Sequence, residues 1–335
     1  MTTIESSDGA AIPGAPAHPA RASRLERPLS PPRLPPPPPR RYVVPRQDVP
    51  REPLTPWQLF IRGVLAMIVA LLIMFILDLV VFGPIQHLAA QQQLRDTYAA
   101  QLAEGTAPVS EGDYNGVLLG DGAPVGILTI PRIGVSEVLV EGTSSADLRL
   151  GPGHRRDTVL PGQVGVSVIM GRAAGFGGPF GSLQALQPGD QFQVRTGQGL
   201  NTFEVIGLRY AGDPSPPSLA KGESRVILMT ARGLPFVPVG VAYVDARLVG
   251  DGQAAGLRQT TPLTLPAADT VMATDTSTVW ALVFALQFLI AAEIAAVWAW
   301  RRVGRRKAWI ALVPVLLLAN LFVADQLVRL LPNLL

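Results

Sequence analysis

Among the residues that could carry chemistry in this 335-residue chain, the thiol is missing altogether, because the sequence has no cysteine. That excludes a thiolate nucleophile, a disulfide and a cysteine metal site together. Within residues 123–250 the only histidine is His154. Thr230, Ser144 and Ser145 offer hydroxyls, but a hydroxyl attacks only with a base beside it, and none has one at a recognisable spacing. Arg172 cannot serve as that base, since a guanidinium stays protonated. Glu137, Glu141 and Asp147 do not fall at the alternating positions of a calcium loop and read as solvated acids, so neither a metal nor a cofactor is expected. What remains is cationic: Arg172 and Arg232 could hold a carboxylate or another anion through charge-assisted hydrogen bonds, or stand solvated at the surface.

The elements that would position these groups begin with a membrane frame. Residues 63–83 contain the apolar run Gly63 to Phe82, long enough at about 1.5 Å per residue to cross a roughly 30 Å hydrocarbon layer. Some sixty residues precede it, which fits a retained anchor rather than a cleaved signal. Residues 278–300 and 308–329 read as two further spans. The loop between them, 301–307, carries Arg301, Arg302, Arg305, Arg306 and Lys307 and is expected to be cytoplasmic, because short basic loops resist translocation. Arg40, Arg41, Arg46, Arg51 and Arg62, ahead of the first span, agree. The expected topology at the plasma membrane is a cytoplasmic N-terminus, an extracytoplasmic middle and an extracytoplasmic C-terminus. Residues 1–58, rich in Pro and Arg with the run Pro35 to Pro39, are expected to be a disordered cytoplasmic tail. Its charge, and that of the inner loop, speaks for anionic lipid and topology rather than nucleic acid.

Charges also lie inside the spans: Asp78 in the first, Glu293 in the second, Asp325 and Arg329 in the third. Intramembrane charges are costly and tend to face one another or a partner. Asp78, Asp325 and Arg329 lie at a similar outer depth and are expected either to cluster or to reach the outer head groups. Glu293 lies nearer the inner side without a mate in the chain, where it could contact another subunit or snorkel.

Residues 84–122 read as a juxtamembrane helix and linker, with the helix at His87 to Gly105 setting the height of the next domain above the bilayer. From 123 to 250 the texture changes to short Val and Ile runs cut by Gly and Pro: VGILTI, VSEVLVEG, VGVSVIMG, DQFQVRT, NTFEVIGLRYA, SRVILMTA and GVAYVDARLV. Such runs are strands, and their number points to a closed barrel or sandwich. Gly197, Gln198 and Gly199 read as a hairpin turn, and residues 251–277, rich in Thr, Ala and Pro, as a linker back to the membrane.

Between Leu128 and Val249 several short motifs occur in an order that resembles the sortases, membrane-anchored transpeptidases of Gram-positive envelopes, and most resembles their class E/C-like branches in high-GC actinobacteria. Leu128, Ile130 and Pro131 resemble the opening strand, and Glu141, Gly142 and Thr143 the turn after it. Gly151 to His154 resemble a Gly-Pro-Gly-His loop, and Pro161 to Gln163 a Pro-Gly-Gln. Phe180, Leu183, Gly189 and Asp190 resemble the motifs that come after the histidine strand, and Val226 to Thr230 the strand that ends in Thr-Cys. The resemblance implies a mainly β extracytoplasmic domain, a sortase-like eight-stranded β-barrel, beside the three transmembrane helices and the disordered tail.

The resemblance also implies where chemistry should sit. An active sortase uses a thiolate to attack, a histidine to protonate the departing amine and an arginine to steady the oxyanion. The matching positions here hold Arg172 for the histidine, Ala231 for the cysteine and Gly240 for the arginine. His154 matches a second, non-catalytic histidine position and is expected to stabilise its loop. The sequence therefore points to a catalytically degenerate member acting as a binding or scaffolding module in a cell-envelope complex. Arg172, Thr230 and Arg232 would line a groove for an acidic peptide or an anionic envelope polymer. Two alternatives stand beside this: a divergent transpeptidase or hydrolase with another or a partner-supplied nucleophile, and a subunit of a transport or polymer-assembly complex that works through its spans.

Overall fold

The computed structural model describes residues 55–112, 117–302 and 305–335. The Pro/Arg-rich reading of residues 1–54, and positions 303 and 304 of the basic loop, lie outside the described residues.

The first span, α1 (Pro56–Leu77), starts on a capping box in which the Thr55 hydroxyl accepts from the Gln58 amide and the Gln58 side chain accepts from the Thr55 amide. Pro56 occupies the first turn, where its missing N–H is no loss. No residue of α1 is buried, and Leu59, Leu65, Ile68, Leu72 and Ile76 point outward. An apolar surface of that kind suits hydrocarbon, not water. The helix does not end at the boundary of the apolar run. It passes through a π-helical turn, Asp78–Phe82, into α2 (Gly83–Glu104), which stops at Gly105 in the left-handed conformation. Two more helices, α3 (Val279–Arg302) and α4 (Arg305–Arg329), come after the barrel. Among the described residues, three helical stretches are long and apolar enough to cross a membrane. α4 packs against both α1 and α3, and the small residues Ala285 and Ala319 sit with Leu289 and Val323 in that contact.

Eight strands form a closed barrel, as the sequence texture anticipates: β1 (Pro124–Ile130), β2 (Val135–Glu141), β3 (Gly153–His154), β4 (Gly165–Met170), β5 (Gln191–Thr196), β6 (Gly199–Tyr210), β7 (Ser224–Leu234) and β8 (Val237–Leu248). The order around the barrel is β1-β2-β3-β4-β7-β8-β6-β5. The β2/β3 and β4/β7 pairs are parallel and the others antiparallel. Alternation along β5 puts Phe192, Val194 and Thr196 inside and Gln191, Gln193 and Arg195 outside. Phe192 stacks on Phe203 of β6 at 5.5 Å within a core that also holds Val125, Leu128, Ile169, Val226 and Val244. The β5–β6 turn fits only glycine at 197, because a Cβ there would meet the Ala107 and Pro108 carbonyls at 2.8 Å.

Two segments hold the barrel to its surroundings. α2 lays one face on it: Gly83, His87, Gln91 and Tyr98 are buried, and Gln91 caps the exposed side of β2 by pairing with both the N–H and the C=O of Val138. The segment after β8 is a strap rather than a free tether. Glu111 accepts from the Gln259 and Thr260 amides, and Asp269 accepts from the Thr143 amide at 2.9 Å.

Candidate functional site

β4 and β7 run side by side in parallel, Met170 opposite Met229, and deliver Gly171–Arg172 and Thr230–Ala231 to the same end of the barrel. Gly171 is required by packing, since a Cβ would lie 2.4 Å from the Phe180 ring. The Thr230 hydroxyl donates to the Gly171 carbonyl at 2.9 Å and so ties the two strand ends together.

Arg172 leaves this turn fully buried, with 0% of its surface exposed. One guanidinium nitrogen, Nη1, donates to the Leu335 carbonyl at 2.8 Å; the other, Nη2, donates to both the carbonyl and the hydroxyl of Ser145 at 2.8 Å. The Phe176 ring lies 5.0 Å from the guanidinium, with Arg149 6.0 Å from the same ring. Burial first and Arg149 second push the Arg172 pKa down to about 9, which leaves it charged at neutral pH. A charge this deeply enclosed persists only with hydrogen bonds of this kind.

Two of those bonds come from Ser145, in the loop after β2, and the third from the segment that follows α4. Residues 331–335 run into the barrel mouth, where the Ala173 amide donates to the Leu334 carbonyl at 2.9 Å and the Asn333 amide donates to Ala273 at 2.9 Å. The Asn333 side chain donates to the Thr143 and Thr270 carbonyls, both at 2.8 Å. Leu334 and Leu335 pack with Leu148, Met170, Met229, Val241 and Ala231, which is 5% exposed. The groove is therefore filled from within the chain.

The residues the sequence singled out separate into groups. Arg172, Thr230 and Ala231 converge on the filled mouth. Arg232 does not join them: its guanidinium stacks 4.5 Å over Tyr210 of β6. Gly240 pairs with Arg232 across the β7–β8 ladder. An open groove flanked by two arginines is thus replaced by an enclosed Arg172 and an Arg232 held elsewhere, because the segment after α4 supplies the acceptor that an outside anion would have supplied. Ser144 and Asp147 bond each other at 2.7 Å beside the mouth. Burial, opposed by the Ser144 hydroxyl and assisted by Asp121 and Asp269, raises the Asp147 pKa to about 6. His154 bridges the Glu141 carboxylate at 2.9 Å and the Val159 carbonyl at 2.9 Å, all within the wall. Glu137 meets His87 of α2 at 3.2 Å. Asp78, Asp325 and Arg329 line one cavity at the barrel end of the helices, with Asp325 and Arg329 paired at 2.7 Å, while Glu293 sits apart on α3. Among the described residues, no group of three or more His, Asp or Glu side chains is arranged to hold a metal ion.

His87, Gln91 and Tyr98 escaped sequence reasoning, although their spacing of four and seven puts them on one helical face. The filling of the mouth by Asn333, Leu334 and Leu335 had no local signal at all.

Residues 128–231 match the sortase domain family. The chain is 32% identical to Sortase D of Bacillus subtilis (strain 168) over 123 residues, 36% of this chain, and spans 60% of that relative's length. Among solved structures, it is similar to a Clostridium perfringens Sortase D5 transpeptidase, at 19% identity and a TM-score of 0.40, covering 48% of this chain and 99% of that one. It is also similar to a Clostridium perfringens sortase C solved with the C-terminal cell wall sorting motif, at 21% identity and a TM-score of 0.37, covering 48% and 89%. The barrel is thus sortase-like, and it stands on helices suited to a membrane.

Proposed function

We propose that this chain is a membrane-anchored, catalytically inactive sortase-like protein whose barrel, on the extracytoplasmic face, serves as a binding or scaffolding module in a cell-envelope complex. One observation carries the reading. At the position that resembles the catalytic histidine, Arg172 is buried and spent on Ser145 and Leu335. The position resembling the cysteine is Ala231, packed in the same apolar cluster as Leu334 and Leu335, in a chain without any thiol. The basic residues Arg40, Arg41, Arg301 and Lys307 support the orientation that keeps the barrel outside.

A divergent enzyme is less well supported. Thr230 has its hydroxyl committed to the Gly171 carbonyl, and both ring nitrogens of His154 are taken up by Glu141 and Val159. With the mouth filled, partners are met by the outer barrel surface, the strap or the helices, and an acidic peptide or anionic polymer would have to displace residues 331–335 to reach Arg172.

The test is affinity capture of the intact protein from membranes in mild detergent, compared with a form lacking the barrel. Partners lost with the barrel support the module; partners retained without it move the function to the helices, as a subunit of a transport or assembly complex. Turnover of a Thr-Gly peptide by the intact protein overturns the inactive reading.

A further inference from the structure

Between α1 and α2 the regular winding gives way to the five-residue π turn Asp78–Phe82, a distortion that recurs at functional positions in helices. Asp78 at its start is 1% exposed, and neither carboxylate oxygen has a hydrogen-bond partner among the described residues. A carboxylate so placed is strongly disfavoured unless a donor reaches it. Arg329 of α4 is paired with Asp325 at 2.7 Å, yet its buried Nε is also without a partner among those residues.

Asp78, Asp325 and Arg329 border an open cavity of about 480 Å³, lined on the barrel side by Arg149 from the short helix Asp147–Arg149. Burial and then Arg329 lower the Arg149 pKa, while Asp325 and Asp78 oppose, so the four charges act on one another. Set against the Asp325–Arg329 pair, the cavity lining is left with one cation, Arg149, and one unsatisfied anion, Asp78. Its remaining wall is mostly apolar: Phe82 and Leu321, with Leu318 and Phe322 exposed on the outer surface of α4.

The depth is defined by the helices. Asp78 lies 15 residues after Gly63, where the first apolar run begins, about 22 Å of rise. Arg329 lies 21 residues after Ala308, where the third span begins, about 31 Å. Asp78 therefore stands in the outer part of a roughly 30 Å hydrocarbon layer and Arg329 at its outer edge, just beneath the lipid heads on the barrel's side.

We propose that this cavity binds one phospholipid of the leaflet on the barrel's side, its phosphate accepting from Arg149 and Arg329, its primary ammonium donating to Asp78, and an acyl chain lying along Phe82 and Phe322. A primary ammonium brings three N–H donors to the two unpartnered oxygens of Asp78, and its charge with that of the phosphate matches the residual cation and anion of the cavity. The proposal rests on the three helices being membrane spans.

The test compares dioleoyl phosphatidylethanolamine with dioleoyl phosphatidylcholine, which keeps the positive charge but has no N–H, by native mass spectrometry of the full chain in mild detergent. One phosphatidylethanolamine per chain, held at least about tenfold more tightly than phosphatidylcholine, is expected. Asp78→Leu should bring the ratio of the two to about one. Arg149→Met, on the barrel and outside the helix packing, should weaken both lipids and keeps the test open if the Asp78 variant does not fold. Equal binding of the two lipids by the unaltered chain, or an undiminished preference in Asp78→Leu, overturns the site. Soluble phosphorylethanolamine binding as tightly as the lipid also overturns it, in favour of a small-molecule pocket. Vesicle flotation separates the two readings: a chain that floats but does not discriminate overturns the head-group site alone, and a chain that does not float overturns the spans as well.

Discussion

Arg172 and Leu335, 163 positions apart, are joined by a buried hydrogen bond of 2.8 Å that fastens the end of the last helix into the mouth of the barrel. The bond couples membrane and barrel through the same residue that replaces a catalytic side chain in the sequence resemblance. The enclosed guanidinium needs the acceptor, and Leu334 and Leu335 in turn need the apolar walls of Met170, Met229 and Val241.

The latch can be watched directly, because the sequence has no cysteine and a single introduced thiol reports alone. Ala231→Cys should react slowly with a maleimide, since Ala231 is 5% exposed beneath the tail residues. Adding Leu334→Asp places a carboxylate in that apolar cluster and should expel the tail, raising the labelling rate by about two orders of magnitude, a shift of about 2.7 kcal/mol in the opening equilibrium. Equal rates in the two proteins would show that the mouth opens without the tail leaving. Leu334→Ala, a milder change, should lower stability by about 2–5 kcal/mol.

His154 and Glu141 form a pair deep in the barrel wall, each 1% exposed. Removing the imidazole leaves Glu141 buried with neither oxygen bonded, as its Oε1 already lacks a partner among the described residues. His154→Ala should therefore cost about 3–5 kcal/mol, seen as a lowered denaturation midpoint in detergent. His154→Gln keeps one donor and should recover part of the loss. A histidine that served chemistry and not the wall would leave the midpoint in place.

Much of the barrel was legible because its strands are long enough to show a period. Phe192 and Val194 alternate with glutamines, and the Val and Ile runs of β1, β2 and β4 are bounded by Gly or Pro. β3 is two residues, Gly153–His154, and no period exists in two residues. The hairpin of β7 and β8 continues past the point where Gly233, Pro235 and Gly240 suggest a break, with Phe236 taking the left-handed turn position at φ 60. At the site, Arg172 and Ala231 could be placed by motif order along the chain. Their neighbour could not, because the pairing of Arg172 with Leu335 is tertiary and leaves no trace in the residues around either. The stretch 251–277 read as a linker by composition, and only the long-range bonds of Asp269 and Glu111 reveal a strap.

Asp147 makes the stability of this region depend on pH. Its folded pKa of about 6 lies above the ordinary aspartate value of 3.8, so between these values the folded state binds the proton more readily than the unfolded state. Its contribution is fully present below about pH 4 and is lost as pH rises through 6, amounting to about 3 kcal/mol. Asp269, whose pKa is also raised chiefly by burial, adds in the same direction. The melting temperature should accordingly be higher at about pH 5 than at about pH 7. Asp147→Asn, which can still accept from Ser144, should flatten that difference; an unchanged slope would assign the dependence to other groups.

The docking of α2 on the barrel concentrates in Gln91. Its side-chain amide donates to the Val138 and Leu150 carbonyls at 3.1 and 2.9 Å, and its carbonyl accepts from the Val138 amide at 2.7 Å, so one side chain substitutes for a neighbouring strand. His87 on the same face adds bonds to Glu137 and to the Arg149 carbonyl, both at 3.2 Å. Gln91→Leu fills a similar volume but strands the buried Val138 N–H, at about 1–3 kcal/mol for the unsatisfied donor alone. Hydrogen exchange should then speed up at Val138 by about one to two orders of magnitude while amides in β6 and β8 keep their protection, because the loss opens the seam between helix and barrel and not the barrel itself. Uniform acceleration across all strands would mean instead that α2 is part of the barrel's own cooperative unit, and that the helix continuous with the first span is needed for the barrel to fold.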